Sequence, residues 1–299
     1  MITFLDLGLY GRLGNQLYQY AALRGISEKT GIECKIPDFH DYSWHGQKCL
    51  LNNFNLKAPP LEYADRMRVR GTHEEKSPNV FYEKFFSVNP YCNIKGFFQF
   101  TGYFDHCEDI IREEFTPKKF FLDKAEKLLE QHRKGGYEIV SIHIRRGDMM
   151  NYMQQDTGVS PYQVFGRQDI FEEGTVYGDY LSKAMKFFEN KKVKFLVFTG
   201  GKRNGNDIED IEYVKRVFKG NQYIFSQSND AMMDFTTIML CDHNITCHQS
   251  TFGWWAAFLN NNEHKVVTSP QNYFFLMPKE ICEARISEGH FPKGWSIIK

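Results

Sequence analysis

The chain has 299 residues, 42% of them hydrophobic and 25% charged, which is the composition of a soluble globular protein of one large or two ordinary domains. Lys+Arg and Asp+Glu balance at 37 each, so no overall field draws in a nucleic acid or an anionic membrane, and any anion site must be a local pocket. The seven cysteines are odd in number and widely spaced, with no C-x-x-C pair, which argues against a disulfide framework and a Cys-rich zinc site and suits reduced thiols.

The N-terminus, "MITFLDLGLYGRLGNQ", lacks the basic and long apolar regions of a secretory signal, and no stretch approaches the roughly 20 apolar residues that span a bilayer. A cytoplasmic protein is expected, with at most peripheral association with the inner face of the membrane.

In chain order, residues 3–10 read as a first strand, "GRLGN" (11–15) as a glycine-punctuated turn, and 16–30 as a helix with apolar Leu17, Tyr20, Ala21 and Ile26 that stops at Gly31. "IECKIP" follows as a strand, so the chain opens as an α/β unit. Residues 40–95 carry no readable pattern. "GFFQFTGYF" (96–104) reads as a strand, and "DHCEDIIREEF" and "PKKFFLDKAEKLLEQHRK" as helices, the second with Pro117 at its start.

After Gly135–Gly136 the pattern restarts. A strand at 138–144 precedes a long polar loop (149–175), a helix at 178–190, a strand at 193–198 and the glycine-rich loop "TGGKRNGND". Helix 207–218, strand "QYIF", helix 230–240, strand "NITC", helix 252–260 and strand "HKVVTS" complete the alternation of a doubly wound parallel sheet. The reading is therefore an α/β chain of two domains facing a cleft, divided near residue 135.

Three stretches carry chemistry. In "SIHIRRGDMM" (141–150), strand alternation puts Ser141, His143 and Arg145 on one face and Ile142, Ile144 and Arg146 on the other. His143 and Arg145 then sit at the carboxyl end of a sheet strand, where open α/β sheets bind ligands. Arginine grips phosphate oxygens in bidentate fashion, histidine adds a hydrogen bond or a proton, and Asp148 is placed to pair with an arginine and set its rotamer. Arg146 reads as structural. In "GRLGNQ" (11–16), Gly11 and Gly14 let backbone approach a ligand, and the helix beginning near Asn15 offers N–H groups. The spacing is neither the dinucleotide fingerprint nor a Walker loop. In "NITCHQSTFGWWAAFLN" (244–260), a strand leads through a polar elbow to an apolar helix with Ser250 or Thr251 at its N-cap, a place that favours phosphate. Each stretch alone also fits a plain structural role: a solvated strand end, an ordinary turn, a capped core helix. Together they fit one diphosphate and favour a nucleotide-sugar enzyme.

These residues resemble a known family. "GRLGNQLYQYAALRG", "SIHIRRGDM" and "STFGWWAAFLN", with "GYFDHCEDI" and "KVVTSPQNYF", are similar to the bacterial α-1,2-fucosyltransferases of glycosyltransferase family 11, in the expected order from residue 8 to about 274. The H-x-R-R-x-D motif is also shared with α-1,6- and protein O-fucosyltransferases. The resemblance implies a GT-B-like fold of two Rossmann-like domains, with residues 1–135 on the acceptor side and 136–299 binding GDP-fucose. It implies inverting transfer of L-fucose from GDP-β-L-fucose to the 2-hydroxyl of a galactose-terminated oligosaccharide, with no metal and no other cofactor. Arg145 matches the arginine that holds the donor diphosphate, and His143 the motif histidine beside it. Gly14 and Asn15 match the G-x-x-G-N turn near the phosphates, and Ser250 and Thr251 the hydroxyl residues at the phosphate-facing helix start. Arg145, His143, Asp148 and Asn15 are the catalytic candidates. For the base that deprotonates the acceptor, Asp148, His143 and a carboxylate of the first domain stand open.

The sequence departs from relatives at two places. Thr199, Gly200 and Gly201 stand where an acidic pair is common and can meet the donor base, with Asp207 several residues on. "CHQSTFGWW" replaces "NSSFSWW", which makes His248 and Gly253 substitutions. Two other readings remain: a fucosyltransferase with a different glycan acceptor, and a non-catalytic GDP-sugar or glycan-binding protein on the same fold.

Overall fold

The computed structural model describes residues 1–39, 49–156, 158–200 and 208–299. The chain divides into two compact units: Met1–Lys118 with Glu283–Pro292, and Lys119–Cys282 with Lys293–Lys299. The division precedes the helix Lys119–Arg133, which packs on the second unit's Ala231–Leu240 helix, so it lies a helix earlier than residue 135. The chain also returns to the first unit at 283–292, a crossing that no local composition signals.

The first unit holds strands β1 (Ile2–Thr3), β2 (Cys34–Lys35), β3 (Gly71–Glu74) and β4 (Cys92–Lys95), and helices α1 (Leu13–Thr30), α2 (Tyr63–Arg66) and α3 (Glu108–Glu114). Among the described residues its sheet is parallel, in the order β2-β1-β4-β3. The expected strand over 3–10 stops at Thr3 because the chain curls into turns, with Leu7 N–H donating to Phe4 O (3.0 Å) and Leu9 N–H to Asp6 O (3.0 Å). The strand expected at 96–104 is not one: the ladder runs a step earlier, in β4, and 96–104 continues into a short 3-10 turn at Thr101–Tyr103. Apart from the exposed Phe97, its aromatic residues are core anchors rather than ladder members. Phe98, Phe100 and Tyr103 are fully buried, with Phe98 edge-on to Tyr103 at 5.1 Å and to Phe85 at 5.0 Å. Helix α1 is buried along most of its length. Gly25 lets it close on the chain: a Cβ there would fall 2.0 Å from the Tyr103 carbonyl oxygen.

The second unit holds α4 (Lys119–Arg133), β5 (Glu138–Ile144), α5 (Gly147–Asp156), α6 (Pro161–Phe165), α7 (Val176–Lys186), β6 (Val193–Thr199), α8 (Ile208–Val217), β7 (Tyr223–Phe225), α9 (Ala231–Leu240), β8 (His243–Ile245), α10 (Thr251–Leu259), β9 (Val267–Pro270) and β10 (Ser296–Ile298). A last helix, α11 (Lys279–Ser287), straddles the boundary between the units. The expected polar loop over 149–175 contains α5 and α6; the latter starts in a capping box, Ser160 with Gln163, followed by Pro161 at its first position. The sheet is parallel throughout, in the order β10-β9-β8-β5-β6-β7. From β5 the chain winds one way through β6 to β7, then crosses back and winds the other way through β8, β9 and β10. The order reverses between β5 and β8, and that switch point is where such sheets leave a crevice at their carboxyl ends. Both faces are covered. Ile142 and Ile144 pack with Tyr177, Leu181 and Val214 of α7 and α8. On the opposite face Asn244 of β8 donates to Ile238 O of α9 at 2.8 Å. The α/β class expected from the alternation is the class observed. No helix among the described residues is long and apolar enough to cross a membrane.

Candidate active site

The switch point is built by the ends of β5 and β8. β5 is a buried central strand whose β-branched residues fill one face. The alternation read from "SIHIRR" holds. Ser141 lies on the α9 and α10 side, where its hydroxyl accepts from Asn244 Nδ2 at 2.8 Å. His143 lies on the same side, with Nδ1 3.2 Å from Ser250 Oγ and 3.4 Å from Cys247 Sγ and its ring tilted on Phe252 at 5.5 Å. Burial raises the Cys247 thiol, so it stays an S–H donor. A thiol and a hydroxyl around Nδ1 suit the tautomer whose proton sits on Nε2.

Gly253, which departs from the family pattern, lies against the His143 ring. A Cβ at that position would lie 2.7 Å from His143 Nδ1. The glycine is the seat of the histidine ring.

Arg145 follows β5 directly. Its Nε donates to Asp148 Oδ1 at 3.1 Å and its Nη2 to Asp148 Oδ2 at 3.0 Å, a side-on bidentate pair, while Nη1 donates to the Gln249 carbonyl. Asp148, in the first turn of α5, is 7% exposed against 26% for the arginine side chain. The guanidinium is thus held by both strand ends at the switch point. Of its five N–H donors, three are committed in this way. Among the described residues one N–H on each terminal nitrogen remains, and both are donors that an anion can use. Gln249 reaches its place through a left-handed backbone (φ 49°), with its N–H on the Tyr273 carbonyl at 3.0 Å. Arg146 points to the other face, pairs with fully buried Asp210 and lies over the Tyr213 ring at 4.6 Å, a structural role as read from the strand pattern.

Ser250 is the N-cap of α10, its hydroxyl accepting from Gly253 N–H at 3.3 Å. Thr251 opens the helix, half-buried. The body of α10 is apolar and buried, with Trp254 stacked on Phe258 at 5.1 Å, so the helix is fixed by the core and its amide end is turned to the switch point. His248 in the elbow is fully buried. It meets Asn272 Oδ1 at 3.0 Å, stands edge-on to Tyr177, Tyr180 and Phe275, and burial pushes its pKa down to about 3. It is a neutral packing group, not a catalyst.

His143, Arg145, Asp148, Ser250 and Thr251 therefore come together in the second unit. Gly14 and Asn15 belong to the first. There α1 starts at Leu13, two residues before the expected Asn15, so both lie within its first turn. Gln16 ties the preceding loop, donating to Gly8 O (3.3 Å) and Gly11 O (3.4 Å) and accepting from Leu50 N–H (3.2 Å). Asn15 Oδ1 accepts from Gln99 Nε2 at 3.1 Å, a partner 84 residues away that sequence reading missed. At the end of β6, Thr199 and Gly200 are described, whereas Gly201 and Asp207, part of the stretch that departs from the family's acidic pair, lie outside the described residues. Among the described residues no group of three or more His, Cys, Asp or Glu side chains is arranged to hold a metal ion.

A doubly wound α/β unit with an anchored arginine and a capped helix end at its switch point is the class that fold and site define. The sequence profile described as Glycosyl transferase family 11 matches residues 2–275, and the chain belongs to that family. It is similar to galactoside alpha-(1,2)-fucosyltransferase 1 of Rattus norvegicus, at 29% identity over 83% of this chain and 61% of the relative. The human protein of the same name is 27% identical over 95% of this chain and 72% of the relative, and galactoside alpha-(1,2)-fucosyltransferase 2 of Oryctolagus cuniculus 25% identical over 90% and 71%. The chain thus spans 61% of the rat relative's length. Among solved structures, alpha-1,6-fucosyltransferase NodZ soaked with GDP-fucose aligns over 86% of this chain and 92% of its own, at 14% identity and a TM-score of 0.48. The fold stands on the sheets and helices described above.

Proposed function

We propose that this chain is an inverting, metal-independent fucosyltransferase that moves L-fucose from GDP-β-L-fucose to the 2-hydroxyl of a terminal galactose. Arg145, held by Asp148 and the Gln249 carbonyl at the switch point of a family 11 chain, carries this reading. In the reaction the bond from fucose C1 to the β-phosphate oxygen breaks, and its electron pair leaves with GDP. The acceptor oxygen forms its bond to C1 on the opposite face and passes its proton to a general base, for which a carboxylate of the first unit is the candidate left. The new charge falls on phosphate oxygens. The two uncommitted N–H groups of Arg145, the His143 Nε2–H and the amide end of α10 are donors of the kind that stabilise it, the part a divalent cation plays in other transferases.

Both oxygens of Asp148 accept from Arg145, which makes Asp148 a positioning group in this reading rather than the acceptor's base. Ser250 and Thr251 complete the second unit's share of donor binding, the family resemblance gives Gly14 and Asn15 a donor-binding role as well, and the first unit serves the acceptor. The names of the relatives support fucose and the galactose 2-hydroxyl.

The test is product formation from GDP-fucose with EDTA present, over lactose, N-acetyllactosamine, Galβ1,3-linked disaccharides and non-galactose controls, with linkage read by NMR. An α-1,2-fucosylated galactose is expected. Activity lost in EDTA and restored by Mn²⁺ or Mg²⁺ overturns metal independence. GDP release without a fucosylated galactose overturns the acceptor, and binding of GDP-fucose without turnover overturns catalysis.

A further inference from the structure

Among the described residues, the two large apolar side chains with the greatest exposure are neighbours. Tyr63 is 79% exposed and Met67 69%. Tyr63 begins the single turn of α2 and Met67 caps it, with Met67 N–H donating to Tyr63 O at 3.1 Å, so the two stand together on one face of the first unit. A charge turned inward fixes that turn. Asp65, inside α2, is buried and its Oδ2 accepts from Lys35 Nζ of β2 at 2.8 Å. What the segment shows to solvent is therefore basic. Arg66, Arg68 and Arg70 are all exposed, and among the described residues none of them makes an ion pair with a carboxylate. Arg68 lies over the Tyr91 ring at 4.2 Å, and Glu62 is the one carboxylate of residues 62–70 that is exposed. Arg70 and Tyr91 lead into β3 and β4, with Arg70 N–H on Tyr91 O at 2.8 Å. The patch thus lies at the amino ends of these parallel strands, the edge opposite to the one where α/β sheets bind ligands.

Two features choose the partner. The exposed charge is positive, which calls for a fixed negative surface. Tyr63 and Met67 project beside it. A polyanion such as a nucleic acid would leave both in water, whereas a lipid bilayer offers phosphates to the guanidinium groups and an apolar layer just beneath them. The patch is also small, one helical turn and its flank, against the roughly 20–30 residues that each partner of a stable protein complex presents. A bilayer makes no such demand, because a few apolar anchors and the attraction of anionic headgroups add up to binding.

We propose that this face of the first unit docks on an anionic lipid surface, with Arg66, Arg68 and Arg70 at the level of the phosphates and Tyr63 and Met67 reaching the apolar layer. The docking does not depend on the reaction catalysed. It gives a local origin to the peripheral membrane association expected from the sequence, which the balanced total charge does not supply.

Co-sedimentation with vesicles tests this. Vesicles of phosphatidylcholine alone are compared with vesicles of phosphatidylcholine and phosphatidylglycerol in equal parts. Binding to the anionic vesicles, weakened by added salt and absent from the neutral ones, is expected. Arg66→Gln with Arg70→Gln is expected to lower the partition coefficient about fivefold for each arginine removed, and Tyr63→Ser with Met67→Ser about tenfold with the charge intact. Arg68 is left in place because it packs on Tyr91. No binding to the anionic vesicles overturns the docking. Binding unchanged by both pairs of substitutions comes from elsewhere on the protein and overturns this face. Binding lost with the arginines but undiminished by the two serines marks a general polyanion site and overturns the lipid assignment. Arg66→Gln and Met67→Ser singly stand in, with the same criteria, should either pair not fold.

A second readout follows insertion. Tyr63→Trp keeps an aromatic anchor, and its emission is recorded on anionic vesicles that carry bromine on the lipid chains. Stronger quenching than in the wild-type protein is expected, and equal quenching overturns insertion.

Discussion

Arg145 is a charged group whose orientation is set by three contacts from two strand ends, and a large effect is expected from its loss. Arg145→Ala removes the fork and is expected to lower kcat/KM about 100-fold or more. Because it also takes the guanidinium away from the nearly buried Asp148, Arg145→Lys is the companion variant. It keeps the charge but not the planar fork, and a comparable loss in a protein with an unchanged melting curve assigns the effect to geometry. Near-normal turnover by either folded variant contradicts the diphosphate site. At this scale the sequence is informative where neighbours are local. The shared face of His143 and Arg145 follows from strand alternation, and Asp148 lies three residues from its arginine. The contact between Gln99 and Arg285 was invisible because they stand 186 residues apart and each is an ordinary polar residue in its own stretch.

The element that matters most is α10 with its elbow. Four apolar residues in a row, Trp254 to Ala257, are buried, so the helix cannot shift without opening the core. Whatever alters its first turn therefore acts on His143. Gly253→Ala puts a methyl group where the imidazole lies. It is expected to lower kcat/KM by about tenfold while unfolding stability falls by roughly 1–3 kcal/mol, the usual penalty of overpacking. Kinetics together with denaturant titration check this, and an unchanged kcat/KM removes the glycine from the site. The helix start at Ser250 was legible because an N-cap hydroxyl before an apolar run is a local signal. The strand expected at 96–104 failed for the opposite reason. Aromatic residues suit strands, but here Phe98 takes a left-handed backbone (φ 52°) and the rings serve the core. In the 149–175 stretch, α5 and α6 were hidden by polar composition.

For the molecule as a whole, burial of imidazoles sets the acid limit. His248 in the second unit and His290 in the first are both pushed down to about 3 by burial, His290 with the nearby Arg285 charge adding to it. In the unfolded chain each takes a proton near 6.5. Stability is therefore fully present above about pH 6.5 and falls as pH drops toward 3, by roughly 1.4 kcal/mol per pH unit for each histidine once below that value. Burial also lowers His132 and His243, which act in the same direction, whereas Glu75, raised by burial, opposes them at more acid pH. Denaturant midpoints measured at pH 7, 6 and 5 are expected to decline, and in His248→Leu to decline less steeply. A flat profile contradicts the buried neutral imidazoles.

The sequence by itself determined most of the alternation of strands and helices after residue 135, though not α5, α6, α11 or β10, together with the hydroxyl cap of α10 and the pairing of Asp148 with an arginine, because each of these is written in neighbours a few residues apart. The tertiary structure alone decided which strand ends become adjacent. It brought β5 beside β8, and so Arg145 to Gln249, 104 residues away, and His143 to Ser250, 107 residues away, with Gly253 beside it. It also folded residues 283–292 back into the first unit, which places the buried Arg285 guanidinium against Gln99. Local patterning sets which elements form. Burial of their apolar faces sets which of them meet, and that energy is summed over the whole chain rather than carried by any one stretch.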